Sequence, residues 1–382
     1  MEEKLRYDID LEQFWKDDEL AHRDNCFYEG APQVAFGLGL YDEDIFAELD
    51  VPGEPHGDNP LELMLEYRKR YNDKAERIIG KRILPEGPFN QELYPKIKLH
   101  GEVFGGRYVK KSGMYWLESD IHTPQALEKM LDRVDKMDLR DFIMPSNWEA
   151  EKKRVFEETG VPFTPWWYGR RVRGPVTLAM SIYGVENLIF LMYDEEDLAH
   201  RFFQSISDVL MGYAKIMEEE AGPQVMDSKH WGYRFNDDNC CMLTADLYEE
   251  YAYPILKRLF EYTCPDPAVD SRYQHSDSAM AHLLPVLGKL DFMGVNFGPT
   301  VLLDQIRQHM PRTRVDGCLD PMVLLSNDEE AVIAQVKRDC EMAKALGTKG
   351  LCIDAAGSVN NGTKLTTVRA IMWAIQQYGR YD

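Results

Sequence analysis

The chain has 382 residues, of which 44% are hydrophobic, and a formal net charge of −21. This composition is that of an ordinary globular protein, and the negative charge argues against a nucleic-acid partner, whose phosphates it would repel. No run of about 18 apolar residues occurs, so no membrane span is expected. The acidic start of the chain lacks an apolar signal core, and its seven cysteines form no CxxC pair. We therefore expect a cytoplasmic protein with free thiols.

The first part of the chain predicts helices separated by irregular segments. Residues 1–60 are expected to form a helix and then irregular structure, which ends in the Pro- and Gly-rich stretch 51–60. An amphipathic helix follows at 61–80, and a further helix is expected at 123–137 with Thr123 as its N-cap. The stretch KIKLHGEVFGGRYVKKSGMYWLES between them indicates extended segments joined by Gly turns.

The middle of the chain predicts a long helical region flanked by strands. The stretch ENLIFLMYDEEDLAHRFFQSISDVLMGYAKIMEEEAG is expected to be helical almost throughout, with strands near FTPWWYGRRV and QVMDSKHWGYRF. Neither an internal repeat nor an interdomain linker is evident. We therefore predict a single domain over residues 1–382, with residues 1–110 as a divergent N-terminal extension that covers one end of it.

The last third alternates between strands and helices. Four short apolar runs each stop at a polar or Gly-rich turn, at residues 268–278, 290–299, 313–321 and 350–362, and helical stretches lie between them. This alternation predicts a parallel α/β fold. In a barrel of that kind, the residues just past each strand face one mouth. The residues at these strand ends are His275, Asn296, Asp316, Asp320 and Asp354.

The same stretches carry a family resemblance. HSDSAMAHLLPVLGKLDFMGVNFGP, VDGCLDPMVLL and GLCIDAAGSVNNGTKLTTVRAI resemble, in this order, the C-terminal half of the uroporphyrinogen decarboxylase superfamily. GPVTLAMSIYGVENLIFLMYDEE and NDDNCCMLTADLYEEYAYPILKRLFEY are similar to its middle, so the resemblance covers roughly residues 160 to 382. It implies a (β/α)8 barrel and one of two chemistries: decarboxylation of porphyrinogen acetates, or methyl transfer to or from cobalamin proteins.

The decarboxylase branch has residues that this chain lacks. The resemblance would place an RQAGR motif on the first strand, and the equivalent stretch APQVAFGLGLYDED contains no arginine. A Tyr expected six residues after Pro175 is Ser181, and a His expected after the last strand is Gly357. A chain with this negative charge would also need a local basic pocket to bind a porphyrinogen with many carboxylates.

The zinc-dependent methyltransferase branch is also altered. Its HxC position is His275-Ser276-Asp277 here, and its later Cys falls close to Gly357 or Ser358. The usual thiolate zinc ligands are therefore missing, and whether a metal is bound stays unknown. The resemblance then favours transfer of a methyl group from a small methylated donor, of the aryl methyl ether or methylamine type, to a corrinoid (cobalamin) carried by a partner protein. An acidic surface would serve solubility or the docking of that partner.

Four residues are candidates for catalysis. His275, at a strand end, is either a general acid or metal ligand, or a histidine bonded to a neighbouring loop. Asp237 and Asp238 are adjacent, so only one can face the pocket, and the other possibility is a helix cap or a solvated loop. Asp354 is either catalytic or a structural acceptor. We expect His275, one of the two aspartates, Asn296 and Asp354 to converge at the carboxyl-end mouth of the barrel.

A second group is predicted to bind the substrate. Trp166, Trp167 and Tyr168 lie next to Arg170, Arg171 and Arg173. The cluster is a stacking wall for an aromatic ligand, an anion clamp, or ordinary core packing with the arginines paired to surface acids. Asn296 and Asp277 are the other candidates, the latter because Asp277, Asp238 and His275 could also meet around a metal. Two further functions stay open, a decarboxylase with an altered pocket and a non-catalytic binding barrel.

Overall fold

The computed structural model describes residues 5–37, 39, 42–55, 58–111, 114–356 and 362–381. The chain divides into two compact units. The first unit comprises Met1–Pro88, Asp277–Ala281 and Gly294–Asp382, and the second comprises Phe89–Ser276 and His282–Met293. A single domain over the whole chain stays a prediction.

Short strands and longer helices make up the described residues. The strands are β1 (Ala35–Phe36), β2 (Arg107–Lys111), β3 (Met114–Glu118), β4 (Arg171–Arg173), β5 (Tyr233–Asn236), β6 (Arg272–Ser276), β7 (Gly294–Phe297), β8 (Arg314–Leu319) and β9 (Leu351–Ala355). The helices of the first unit are Leu11–Ala21, Arg23–Cys26, Asp42–Leu49, Pro60–Ile79, Leu303–His309, Pro321–Ser326, Glu329–Ala345 and Leu365–Tyr378. The helices of the second unit are Asn90–Leu93, His100–Val103, Pro124–Val134, Leu139–Ile143, Trp148–Thr159, Trp166–Gly169, Pro175–Tyr183, Val185–Asp194, Glu196–Ala221, Pro223–Met226, Ala245–Leu247, Tyr253–Thr263 and Leu284–Leu287.

The first unit contains four parallel strands. They pair side by side in the order β1-β9-β8-β7, with Ala35 opposite Cys352 and Val315 opposite Leu351. The strand–helix alternation predicted for the last third is confirmed, since helices follow β7, β8 and β9 in turn. Strand β1 lies inside the predicted N-terminal extension, so this part of the chain supplies a strand of the sheet as well as helices.

The second unit contains three parallel strands and a separate hairpin. Strands β4, β5 and β6 pair side by side, and β2 pairs with β3 in antiparallel fashion. Tyr233 and Phe235 of β5 pack against Phe260 of the helix Tyr253–Thr263, with ring centroids 6.4 and 5.3 Å apart. One face of these strands is therefore covered by helices, as parallel sheets require.

The predicted helix ends are confirmed where a cap was identified. The helix Pro60–Ile79 ends at Gly80, whose φ of 75° suits a residue without a side chain. Thr123 Oγ1 accepts a hydrogen bond from the backbone N–H of Ala126 at 3.3 Å. Within the described residues, no single helix combines the length and the apolar character needed to cross a membrane, although the bent pair Pro175–Tyr183 and Val185–Asp194 passes that test when taken together.

Two predicted elements need correction. The segment expected to be extended between residues 96 and 119 contains the helical turn His100–Val103 before the β2–β3 hairpin. The strand expected near FTPWWYGRRV is confined to Arg171–Arg173, because Trp166–Gly169 forms a helical turn. The bulky residues Trp166, Trp167 and Tyr168 suggest a strand in the sequence, but they form the helical turn that precedes β4.

Candidate active site on the second unit

The second unit presents one polar face on its three parallel strands. Successive side chains of a strand point to opposite sides, and residues in register point to the same side. Arg171, Arg234 and Tyr273 are in register, and so are Arg173, Asn236 and His275 one pleat closer to the carboxyl ends. We call these six residues the polar strand face. The opposite face is the one that packs against the helices.

The polar strand face concentrates positive charge. Arg234 donates a hydrogen bond from Nε to Asn236 Oδ1 at 2.9 Å, and its guanidinium lies 4.9 Å from the centre of the Tyr273 ring. Arg173 donates to Ser181 Oγ at 3.4 Å. Neighbouring strands are only about 4.8 Å apart, so the guanidinium groups of β4 and β5 create a local positive potential in a chain whose net charge is −21. Carboxylates are the groups that such arginines bind best.

His275 and Asp238 meet at the carboxyl ends of β5 and β6. The distance from His275 Nε2 to Asp238 Oδ1 is 3.8 Å, and 8% of the histidine side chain and 39% of the aspartate side chain are exposed. Asp238 begins the 3-10 turn that follows β5. At this separation the two groups attract each other when the imidazole carries a proton, but they are too far apart for a direct hydrogen bond. The unit therefore offers one acid–base group with a neighbouring carboxylate beside its arginines.

Asp237 has the structural role that the sequence left open. Its carboxyl group is fully buried, and Oδ1 accepts a hydrogen bond from the backbone N–H of Thr177 at 2.7 Å, in the first turn of the helix Pro175–Tyr183. Burial raises the pKa of Asp237 to about 7, and the hydrogen bonds from Thr177 offset only part of this rise. Asp237 thus caps the helix from the end of β5, and Asp238 is the member of the pair with an exposed carboxylate.

A glycine makes this cap possible. A Cβ atom at Gly174 would lie 2.3 Å from the Cβ and Cγ atoms of Asp237, well inside van der Waals contact. Gly174 also donates its N–H to the carbonyl of Asn236 at 2.7 Å. The Gly-Pro pair 174–175 therefore lets the start of the helix approach β5 closely, with the proline in its favoured first position.

The predicted aromatic wall lies at the other end of the strands. Trp166 and Trp167 are each 42% exposed, and Tyr168 is buried. Arg170 is buried, pairs with Glu218 at 2.6 Å and donates to the carbonyl of Thr263. These residues precede β4, whereas His275 and Asp238 lie where β5 and β6 end. Tyr168 and Arg170 are therefore engaged in packing and ion pairing, whereas the exposed Trp167 ring lies 5.0 Å from the guanidinium of Arg171. The substrate-binding role of Trp166, Trp167, Tyr168 and Arg170 stays a prediction.

The first unit contains the other predicted site residues. Asn296 donates from Nδ2 to the carbonyls of Asp316 and Ala355, at 2.5 and 2.8 Å, and so braces β7 against β8 and β9. Asp354 Oδ1 accepts from the N–H groups of Ala355 and Gly39, at 2.8 and 3.3 Å. Both therefore serve as structural hydrogen-bonding groups. Their convergence with His275 stays a prediction.

Asp354 also borders a small cavity of the first unit. Residues from β1, β8 and two helices line it together with the carboxylate; the lining includes Phe36, Leu319, Leu324, Thr363, Val368 and Ile371. Asp320 caps the helix Pro321–Ser326 through the N–H of Met322, as expected for a turn residue. Asp277 is exposed at the end of β6.

The residues around His275 do not fit a zinc ion. Catalytic zinc takes three protein ligands, and the described side chains here supply one imidazole and one carboxylate. Ser276 is buried with its Oγ 3.8 Å from Cys240 Sγ, and Gly357 and Ser358 lie outside the described residues. Elsewhere in the described chain, three potential ligands come together on the surface, at Glu196, His200 and Glu250.

Arg234 is a functional candidate that the sequence did not single out, whereas Arg171 and Arg173 belong to the predicted anion clamp. Arg234 and Asn236 alternate with Tyr233 and Phe235 in β5. That alternation was the available signal for Arg234, but a charged residue does not suggest a buried parallel strand. His100 holds the end of β4 by accepting the N–H of Arg173 at Nε2, and burial lowers its pKa to about 3.

Comparisons with known proteins agree on one family. The family model described as uroporphyrinogen decarboxylase (URO-D) matches residues 171–378. The uroporphyrinogen decarboxylase of Anaeromyxobacter sp. (strain Fw109-5) is 28% identical over 217 residues, which are 54% of this chain and 57% of that protein. The uroporphyrinogen decarboxylase of Myxococcus xanthus (strain DK1622) is 26% identical over 271 residues, which are 68% of this chain and 71% of that protein. The match thus spans little more than half the length of the first relative.

A solved structure matches over nearly the whole chain. A methyltransferase from Methanosarcina mazei has a TM-score of 0.58 at 15% sequence identity, and the likeness covers 94% of this chain and 98% of that one. A likeness at this identity shows the fold alone. Together with the family model, it confirms the predicted fold class, a (β/α)8 barrel.

Replacing Gly174 with alanine should destabilise the protein. The new methyl group collides with the buried Asp237 side chain, and overpacking of this kind costs about 1–3 kcal/mol. Gly87→Ala is the matched control, because nothing lies within 4 Å of a Cβ atom at that position. Urea unfolding of both variants measures the difference. Equal unfolding midpoints for the two variants would contradict the close contact.

Replacing Asp237 with asparagine should change how stability depends on pH. In the wild type, the carboxyl group ionises near pH 4 when unfolded and near pH 7 when folded, so stability falls as pH rises between these values. Asp237→Asn keeps the Oδ1 acceptor and removes the titration. The free energy of unfolding of the variant, relative to that of the wild type, should therefore increase by more than about 1 kcal/mol between pH 4.5 and pH 7.5.

The control for this experiment is Asp237→Ala, which removes both the charge and the cap. It should follow the same pH trend with a free energy of unfolding lower by about 1 kcal/mol or more at each pH. Wild-type and asparagine curves that run parallel over this range would show that Asp237 is ionised in the folded protein.

Proposed function

Since the chain belongs to the uroporphyrinogen decarboxylase family, we propose that it is a methyltransferase that moves a methyl group from a small, negatively charged methyl ether to a corrinoid protein. The observation that carries this proposal is the polar strand face, where two arginines stand next to the His275–Asp238 pair. The structural likeness to a protein named as a methyltransferase supports it.

The arginines select the charge of the donor. Arg173 and Arg234 would bind a carboxylate of the donor through charge-assisted hydrogen bonds. A methylamine-type donor carries positive charge and would be repelled by the same groups. Arg173 and His275 are in register two strands apart, so their backbones are separated by roughly 10 Å. A methoxybenzoate held by its carboxylate can therefore present its ether oxygen to His275.

His275 then acts on the leaving group. The corrinoid would supply the nucleophile that takes the methyl group. The electron pair of the broken carbon–oxygen bond stays on the donor oxygen, and His275 donates a proton to it. Asp238 positions the imidazole. A general acid of this kind contributes a rate factor of about 10²–10⁴.

A decarboxylase is the second candidate, and two observations favour it. Both curated relatives are named uroporphyrinogen decarboxylase. The polar strand face also supplies the local basic site that a polycarboxylate needs in an acidic chain. In that case Arg173 and Arg234 would hold substrate carboxylates, and His275 would deliver the proton that replaces carbon dioxide.

A donor panel distinguishes the two candidates. The protein is incubated with a reduced corrinoid protein and, in separate reactions, 4-methoxybenzoate, anisole and trimethylamine, and the corrinoid absorbance is followed. Methylation with the benzoate alone supports the proposal. Release of carbon dioxide from uroporphyrinogen, with no methylation from any donor, would establish the decarboxylase instead.

His275→Gln should lower kcat by about 100-fold or more at nearly unchanged KM, because it removes the proton donor. Asp238→Asn should lower kcat less. The matched control is His230→Gln, since His230 also pairs with an aspartate, Asp270, at 2.9 Å, but at the amino ends of β5 and β6. Activity that survives His275→Gln, or is lost in His230→Gln, would refute the assignment of the acid.

Arg173→Gln and Arg234→Gln should each raise KM for methoxybenzoate by about 10-fold or more, since a hydrogen bond to a charged group is worth about 1.5–3 kcal/mol. The control is Arg258→Gln, whose guanidinium pairs with Asp208 on the helix surface. The same KM change with Arg258→Gln, or none with either strand arginine, would argue against carboxylate binding on this face.

A further inference from the structure

The first unit contains a carboxylate, an imidazole and a thiol in a line. Asp18, His22 and Cys26 follow one another at intervals of four residues. His22 Nε2 lies 3.5 Å from Asp18 Oδ1, and His22 Nδ1 lies 3.8 Å from Cys26 Sγ. Asp18 is buried and its Oδ1 also accepts the N–H of Phe36 at 2.8 Å. His22 Nε2 also lies 3.1 Å from the carbonyl oxygen of Phe36. One ring nitrogen of His22 is thus directed toward this carbonyl and the Asp18 carboxylate, and the other toward the Cys26 sulfur.

The turn after the helix Leu11–Ala21 fixes the position of this sulfur. Cys26 has a φ of 66°, and Asp24 and Asn25 are also left-handed. Asp and Asn adopt this conformation more readily than other side chains do, whereas it is unfavourable for cysteine. The carbonyl of Cys26 accepts the N–H of Gly350 at 2.8 Å, just before β9 begins. The turn is thereby held against the strand that carries Cys352.

Cys26 and Cys352 belong to one buried cluster. They pack together with Ala21, Ala31 and Ala35. The hydrogen bond from the Cys352 thiol, together with the one from His22, lowers the pKa of Cys26 to about 6. The hydrogen bond to Asp18 raises the pKa of His22 to about 10. At neutral pH the arrangement is therefore a thiolate beside an imidazolium, with a neutral second thiol in contact.

The other buried thiols lack this environment. Burial raises the pKa of Cys240, Cys264, Cys318 and Cys340, so these groups stay protonated. Both cysteines of the pair are reduced in the structure. The lowered pKa of Cys26 and the raised pKa of these four thiols therefore distinguish the pair Cys26–Cys352 from unreactive core cysteines.

We propose that Cys26 and Cys352 form a redox-active dithiol that a hydroperoxide converts into a disulfide. In the first step, the Cys26 sulfur attacks a peroxide oxygen, the oxygen–oxygen bond breaks, and the leaving hydroxide takes the proton of His22. Cys26 is then a sulfenic acid. In the second step, the Cys352 sulfur attacks the Cys26 sulfur and displaces hydroxide, which takes the Cys352 proton. Two thiols and one hydrogen peroxide yield one disulfide and two waters.

His22 donates a proton in this reaction, and Asp18 is a positioning residue that acts through it. The imidazole directs the thiolate and protonates the leaving hydroxide, but forms no covalent bond with sulfur. The product links the turn after the first helix to β9, two residues before Asp354. The dithiol is independent of the proposed methyl transfer, because none of its groups belongs to the polar strand face.

Peptide mapping of the full-length protein tests the proposal. The reduced protein is treated with a small excess of hydrogen peroxide, remaining thiols are blocked with N-ethylmaleimide, and the digest is analysed by mass spectrometry. We expect a peptide that joins Cys26 to Cys352, the loss of two thiols per chain and full reversal by dithiothreitol. Oxidation of other cysteines without this linked peptide would overturn the proposal, and the wild-type protein alone decides it.

Three variants assign the roles. Cys352→Ser should leave Cys26 as a sulfenic acid that dimedone traps. His22→Gln should slow disulfide formation by about 10-fold, as expected when a neighbouring cation no longer favours the thiolate. Cys340→Ser, the matched control for a buried thiol, should form the disulfide at the wild-type rate. A dimedone adduct absent from Cys26 in a folded Cys352→Ser protein, or unchanged rates in His22→Gln, would refute the roles of these two residues.

Discussion

The register of three parallel strands determines the candidate site. Because β4, β5 and β6 run in the same direction and pair residue by residue, Arg173, Asn236 and His275 lie in one row. A shift of β5 by one residue would exchange its two faces: Arg234 and Asn236 would enter the helix layer, and Tyr233 and Phe235 would replace them. The packing of Tyr233 and Phe235 on Phe260 opposes this shift. The apolar face thereby fixes the position of the polar one.

Two adjacent carboxylates acquire different properties from this arrangement. Asp237 turns into the core and caps a helix, where burial raises its pKa, and its neighbour Asp238 turns outward next to His275. Burial therefore suits Asp237 to a structural cap, and it leaves Asp238 as the carboxylate of the pair that is exposed next to His275.

The sequence predicts the elements whose signals are local, and it fails where the signal is distributed through the fold. The strands of the last third and the Thr123 cap follow from short-range patterns. The meeting of His275 with Asp238 is also predictable, since each follows or ends a strand. Residues 166–168 resemble a strand in sequence because they are three consecutive aromatic residues, whereas the observed β4 has arginine at two of its three positions. Cys26 and Cys352 lie at opposite ends of the chain, and the pairing of β1 with β9 and the hydrogen bond from Gly350 to Cys26 bring their surroundings together.

The chain contains two histidine–aspartate pairs in different positions. Comparing them shows how much depends on the position of the pair rather than on its residue types. His230 with Asp270 and His275 with Asp238 are both imidazole–carboxylate pairs at the ends of β5 and β6. The first lies at the amino ends with 67% of its imidazole side chain exposed, where water screens its charges. The second has a buried imidazole at the carboxyl ends, in register with Asn236 and Arg173. The proposed donor site therefore lies at that strand end, because only the second pair shares a row with an arginine, and residue type alone does not distinguish the two pairs.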